Sequence, residues 1–177
     1  MDVTMTDGSA TTSAITTKDA ISPKSHVTDT LNSAMVTVAE ISVVPAENGE
    51  TDSDAEPVVL SEESFDLDLI DLATGNTDQV NGLEIPAGDY GQMRLSTGDV
   101  VLTFKEETTK TGMIASNQVK LNFSEPFTVN SADDKVDVTV DWNVVDNLEG
   151  NLKGQLVITP VVDATATVTS AGSESEN

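Results

Sequence analysis

The amino-acid sequence predicts an all-β fold, an antiparallel β-sandwich of about seven to nine strands, immunoglobulin-like or transthyretin-like in kind. Three observations predict it. Apolar and polar residues alternate with a period of two, turn-forming residues punctuate the alternating runs, and no long window keeps a helical apolar stripe.

The clearest alternation puts Val136, Val138, Val140, Trp142 and Val144 on one face, with Asp137, Thr139, Asp141 and Asn143 on the other. Val119, Leu121 and Phe123 alternate with Lys120 and Asn122 in the same way, and Phe65, Leu67 and Leu69 alternate with Asp66 and Asp68. In that last run two apolar residues adjoin at Ile70, so the phase slips, which marks a bulge or the end of the strand. Further strands are predicted at Val3 to Thr6, Met35 to Val44, Asp89 to Ser96, Val100 to Lys105 and Gln155 to Val162. Turn chemistry separates them at Asn48-Gly49, Thr74-Gly75-Asn76, Pro86-Ala87-Gly88-Asp89 and Thr97-Gly98-Asp99. Thr and Val are weak helix formers, so a helical reading fits poorly. Val38, Leu67, Met93, Leu95, Val138, Val140, Trp142 and Ile158 are the expected core.

At 177 residues the chain fits one domain with a single core. Residues 1–170 are read as that domain, with a loose polar insertion at about 9–33, and residues 171–177 as a flexible acidic tail. Residues Ala164 to Thr169 are β-prone but small-sided, and read as an edge strand or as an arm that pairs with a neighbouring subunit. With 37% hydrophobic and only 3% aromatic residues, the core must be built from Val, Leu and Ile. That suits thin sheets better than a deep enzyme cleft.

Charge restricts the partners. There are 31 acidic against 8 basic residues, a formal net charge of −23. Such a field repels nucleic-acid phosphates and anionic lipid, so neither is an expected partner. Salt screens the self-repulsion, with a Debye length of about 3 Å at 1 M. The composition therefore suits a high-salt habitat, the plainer reading being an acidic secreted protein from a milder setting. With no cysteine, disulfides, thiolate metal sites and thiol nucleophiles are ruled out. No apolar run approaches the roughly 20 residues of a membrane-spanning helix, so no direct membrane insertion by a helix is expected. Met1-Asp2-Val3 leads straight into polar sequence without a leader, which fits a cytosolic protein or a trimmed precursor numbered from an added Met1.

Catalytic motifs are sparse. The single histidine, His26, lies in the loose insertion, and the sequence contains no G-x-S-x-G elbow, phosphate-binding loop or G-x-G-x-x-G. Among so many acids, carboxylate pairs arise by chance and carry no argument for glycoside hydrolysis. No catalytic residue and no cofactor are assigned, and the reading is of a non-enzyme. Calcium is the one metal considered: Asp52, Asp54 and Glu56, and separately Asp133 and Asp134, place hard oxygen donors in predicted loops without the EF-hand pattern. A solvated acidic loop is the competing reading. Asn122-Phe123-Ser124 is a glycosylation sequon, and alternation turns Asn122 outward.

Several segments, in order, resemble the uncharacterised family called domain of unknown function 4382. Residues Val3 to Gly8 are similar to its first strand and turn, V-x-V-T-D-A-P, with Gly8 in place of Ala. Val36 to Val43 and Phe65 to Leu72 are similar to the two strands that follow. Its most specific motif, l-P-A-G-x-Y-x-x-i-R-L, is matched from Ile85 to Leu95. Pro126 to Val129, the run ending Val140-Asp141-Trp142-Asn143, and Leu156 to Val162 complete the resemblance over about residues 3 to 163. It implies a β-sandwich in secreted, lipid-anchored or cell-surface proteins, a trimmed precursor, and no known catalytic residue. Physically, Pro86 pre-sets a turn, Gly88 can take positive φ, and Tyr90 can tie its hydroxyl back to the backbone as in a tyrosine corner; the alternative is a sugar-stacking Tyr90. The functional expectation is an extracellular or cell-envelope structural or interaction module of unknown ligand. A surface-filament or shell subunit assembled by strand pairing, and a carbohydrate-binding domain, are the alternatives.

Overall fold

In the computed structural model the described residues are 1–6, 31–52, 54–142, 157–158 and 162–170. They form twelve strands: β1 (Asp2–Thr6), β2 (Leu31–Glu47), β3 (Glu50–Thr51), β4 (Val58–Ser61), β5 (Phe65–Asp68), β6 (Asp78–Val80), β7 (Gly88–Phe104), β8 (Thr109–Ile114), β9 (Gln118–Val129), β10 (Lys135–Trp142), β11 (Val157–Ile158) and β12 (Val162–Thr169). One short helix, α1 (Leu69–Ala73), and a 3-10 turn at Ala115–Asn117 interrupt them. The protein is all-β, as alternation predicts; the excess over the expected strand number comes from pieces of two to four residues, such as β3, β6 and β11.

Two 17-residue strands, β2 and β7, pair antiparallel from Leu31↔Phe104 to Pro45↔Tyr90. On its other edge β7 pairs with β9 along its first half and with β8 along its second. The free edge of β2 is covered piecewise by β5, β4 and β3. A second run of strands, in the order β6-β1-β10-β12, returns to β9 through the Ala164↔Phe123 bridge, closing one continuous curled sheet.

That sheet is mixed, not wholly antiparallel. β1 runs parallel to β10, β11 parallel to β8, and β12 parallel to β9. Alternation fixes which side chains face inward; it carries no information about the direction of the neighbouring strand.

The inward phase is as read from sequence. Val136, Val138, Val140 and Trp142 are buried, as are Val119, Leu121 and Phe123, and so are the expected core residues Val38, Leu67, Met93 and Leu95. The buried Trp142 indole N–H donates to Met5 Sδ at 3.5 Å, tying β10 to β1. The β1 and β10 apolar positions thus join the same core as those of β2 and β7. Of Ile158 only the backbone pairing to Ile114 is described, and Val144 lies outside the described residues.

Local expectations fare differently. Thr97-Gly98-Asp99 is not a turn, because β7 runs straight through it. The irregularity falls beside it in the β2–β7 pairing, as register shifts on either side of Val38, and a Cβ on Gly98 would make only ordinary contact with the Thr37 Cβ at 3.6 Å. A glycine inside a strand here marks a bulge and not an end. At Ile70 the strand does end, but into α1: Asp68 caps the helix by accepting from Ile70 N at 3.0 Å, and the same oxygen accepts from Ala34 N at 3.0 Å. The small-sided segment near the C-terminus is not an edge, since β12 pairs with β10 from Val162 to Thr169 and touches β9. The loose insertion is read as far as residue 33, whereas β2 begins at Leu31; residues 7–30 and the tail at 171–177 lie outside the described residues. Asn48-Gly49 does turn, with φ of 55° and 80°, and joins β2 to β3 as the positive-φ pair of a two-residue hairpin.

Among the described residues the core contains one blemish. Thr97 is buried and its hydroxyl has no hydrogen-bond partner. Thr97→Val keeps the shape and removes that oxygen, so unfolding free energy should rise by about 1 kcal/mol. Chemical denaturation would show a higher midpoint at unchanged slope. A lower midpoint would show that the hydroxyl is bonded in solution.

Candidate functional site

The motif from Ile85 to Leu95 builds a corner at the start of β7. Tyr90 is only 3% exposed, and its hydroxyl donates to the Pro86 carbonyl at 2.9 Å, four residues upstream. This is the tyrosine-corner arrangement expected from sequence. Gly88 has φ of 159°, close to extended, so its use is space: a Cβ there would lie 3.3 Å from the Tyr90 hydroxyl. The ring packs on Phe127, its register partner on β9, with centroids 5.7 Å apart, and Phe127 meets Phe123 edge-on at 5.0 Å. Burial pushes the Tyr90 hydroxyl above its ordinary pKa. A ring so enclosed is unavailable for stacking on a sugar.

The calcium candidates fall in two separate loops. Asp52 Oδ1 accepts from Asp54 N at 3.0 Å and its carbonyl accepts from Ala55 N at 3.2 Å, while Asp54 and Glu56 are exposed. In the β9–β10 loop Asp134 is buried and its carboxylate accepts from Asn130 N at 2.8 Å, Ser131 N at 3.2 Å and Ser131 Oγ at 3.3 Å; Asp133 is exposed. Both loops therefore use an aspartate to satisfy their own backbone, the Asx-type role of P-poor turns. Among the described residues no group of three or more His, Cys, Asp or Glu is placed to hold a metal.

Asn122 faces outward and is exposed, as alternation requires. Its Oδ1 accepts from Gln92 Nε2 at 2.6 Å, and Gln92 Oε1 accepts from Arg94 Nε at 2.7 Å. A glycan would attach at Asn122 Nδ2, which leaves Oδ1 able to go on accepting from Gln92. Nothing in the local sequence signals this chain, because its members come from two strands.

Sequence reasoning also missed a groove. It encloses about 1090 Å³ between the β4–β5 connection and the segment from Asp78 to Glu84. Glu62, Glu63, Asp78 and Glu84 line it, with half-buried Phe65 and Leu83 beneath, and no Lys, Arg or His contributes. Such a lining accepts hydrogen bonds and repels anions. The one local signal is the acidic pair Glu62-Glu63; the two walls are too far apart in sequence to be joined by pattern.

The fold and the corner define an all-β domain whose most distinctive motif is spent on its own architecture. The chain belongs to the family described as Domain of unknown function (DUF4382), whose model matches residues 9–160. The match begins after β1, so the similarity noted at Val3 to Gly8 falls outside it. No curated protein and no solved structure matches the chain.

Two predictions follow from the corner and the loop. Unfolded tyrosine ionises near pH 10; the folded hydroxyl holds its proton to higher pH. Its contribution is therefore fully present below about pH 10 and is lost as pH rises toward the folded-state value. Tyr90→Phe should cost about 1 kcal/mol at neutral pH and should fall off less steeply above about pH 10. Because Tyr90 is the single tyrosine, phenolate absorbance reports its ionisation without ambiguity. For the loop, Asp134→Ala should lower stability by about 1–3 kcal/mol equally with chelator and with calcium, since its partners are amides. A loss seen only with calcium present would make Asp134 a metal ligand.

Proposed function

We propose that this protein is a non-catalytic structural or interaction module of the cell envelope or cell exterior, a β-sandwich in its finer architecture, adapted to high salt. The observation that carries the reading is where its carboxylates go. Several cap backbone N–H groups, as Asp2 does for Gly82, Asp68 for Ile70 and Ala34, and Asp134 for Asn130 and Ser131. Acids also stand opposite one another in the sheet: Asp2↔Asp137, Glu47↔Glu50 and Asp141↔Asp163 are register partners. Like charges directly opposite destabilise a sheet by roughly 0.2–1 kcal/mol each, a cost that concentrated salt screens. The exterior location rests on the resemblance to secreted and surface proteins set out from the sequence.

A second reading, assembly into a filament by strand pairing, is favoured by β4, which pairs only with β2 and exposes Val59 at 48%. β12 is already paired along its length, so an arm donated from there would first have to leave β10. Light scattering across salt and protein concentration separates the readings, an unchanging monomer excluding the filament. For the leading one, the melting temperature should climb steadily from about 0.1 M to about 1 M salt as the Debye length shrinks from about 10 to about 3 Å. A flat profile would remove the salt-adapted reading, and resistance of the native protein to protease on intact cells would remove the surface location.

A further inference from the structure

The outward face of the β7–β9 ladder carries a patch rich in hydrogen-bond donors around Arg94 and Lys120. Arg94 and Lys120 are register partners there, two cations side by side in a chain of 31 acids and 8 bases. Neither enters an ion pair among the described residues. Like charges so placed repel, and the carboxylate of Glu40, on the same face of β2 opposite Ser96, forms no ion pair with either.

The hydrogen bonds around them run one way. Arg94 Nε donates to Gln92 Oε1 and Gln92 Nε2 donates to Asn122 Oδ1, so both amide oxygens are engaged. Facing outward are the terminal NH2 groups of Arg94, the NH2 of Asn122 and the ammonium of Lys120, all donors. Gln92 is buried and Arg94 half-buried, so the guanidinium is held by a fixed amide, whereas Lys120 and Asn122 are exposed. Beside them Ser96 and Gln118, paired in register and half-buried, add a hydroxyl and an amide on the same face.

We propose that this patch binds a small hydroxylated monocarboxylate. The planar Arg94 fork matches a carboxylate in bidentate fashion, with Lys120 as a second positive charge and Asn122 as a neutral donor. Ser96 and Gln118 meet the hydroxyls. Charge selects a monoanion: a net charge of −23 penalises every further negative charge on the ligand, so polyanions are disfavoured. The proposal deepens the reading of an interaction module and depends on it only for biological setting. Failure of binding leaves the surface location standing, and a cytoplasmic location leaves binding standing.

The test is a ¹H–¹⁵N NMR titration of the full chain with sodium D-glucuronate as the probe, chloride-matched, with D-glucose, inorganic phosphate and a polyuronate as further arms. The expected result is saturable shifts of the Arg94 Nε and Asn122 side-chain signals with glucuronate and none with glucose. Arg94→Gln should weaken binding roughly tenfold or more. Lys120→Gln, an exposed change that leaves the fold intact, should weaken it about threefold. The proposal is overturned if shifts fail to saturate or match those of chloride, if phosphate or polyuronate binds more tightly, or if Lys120→Gln binds as well as the parent.

Discussion

The ladder between β2 and β7 is the constraint on which the rest of the structure depends. Both strands are 17 residues long, and their register sets the inward phase of Val36, Val38, Ile41 and Val43 against Met93, Leu95, Val100 and Leu102. A slip of one residue would turn that whole set outward and bring Arg94 and Glu40 in. Every short strand on this side, from β3 and β4 to β5 and β8, is held by one of these two long strands. Fragments of two to four residues could not persist alone. The register shifts within the ladder let two long strands bend enough to serve both halves of the core.

The ends of the ladder are closed by side chains that act as backbone. At the start of β7, Tyr90 binds the Pro86 carbonyl and fills the space left by Gly88. One residue further on, Gly91 lies under Thr51, where a Cβ would fall 3.1 Å from the Thr51 Cα. The β2–β3 hairpin can therefore fold down over the sheet only because Gly91 has no side chain. Asp68 does comparable work at the other end, bonding both α1 and the Ala34 amide of β2. An acid-rich composition and a tightly closed fold are thus compatible, since acids supply acceptors where turns and helix ends leave amides unpaired.

What was legible in the sequence is what depends on near neighbours along the chain. The faces of β9 and β10, the Asn48-Gly49 hairpin and the Tyr90 corner each follow from residues within a few positions of one another. What was hidden depends on partners far away. The parallel pairing of β1 with β10 joins residues more than a hundred positions apart, and the same alternation would serve either direction. Gly98 looks like a turn signal until the register shifts against β2 place it at an irregularity inside a continuous strand. The one turn of helix at Leu69 to Ala73 showed itself only as a slipped phase, because five residues are too few to display a helical period. The Arg94–Lys120 pairing had no sequence signal for the same reason, since its two members meet only in the sheet, and the groove showed only the acidic pair of one wall.

The two signs of charge are treated differently by this fold, and the difference bears on its surface. The acids are numerous enough that repulsion between register partners such as Asp141 and Asp163 is unavoidable, and their cost falls as salt rises. The cations are few, yet Arg94 and Lys120 stand opposite each other and neither forms an ion pair among the described residues. Lys135 shows the ordinary outcome, resting 3.1 Å from Asp137 on its own strand. Arg94 has Glu40 on the neighbouring strand, facing the same side one pair along, yet bonds a neutral amide instead. A guanidinium oriented by Gln92 keeps its terminal donors turned outward, which is what an anion arriving from solvent requires and what an internal ion pair would have consumed.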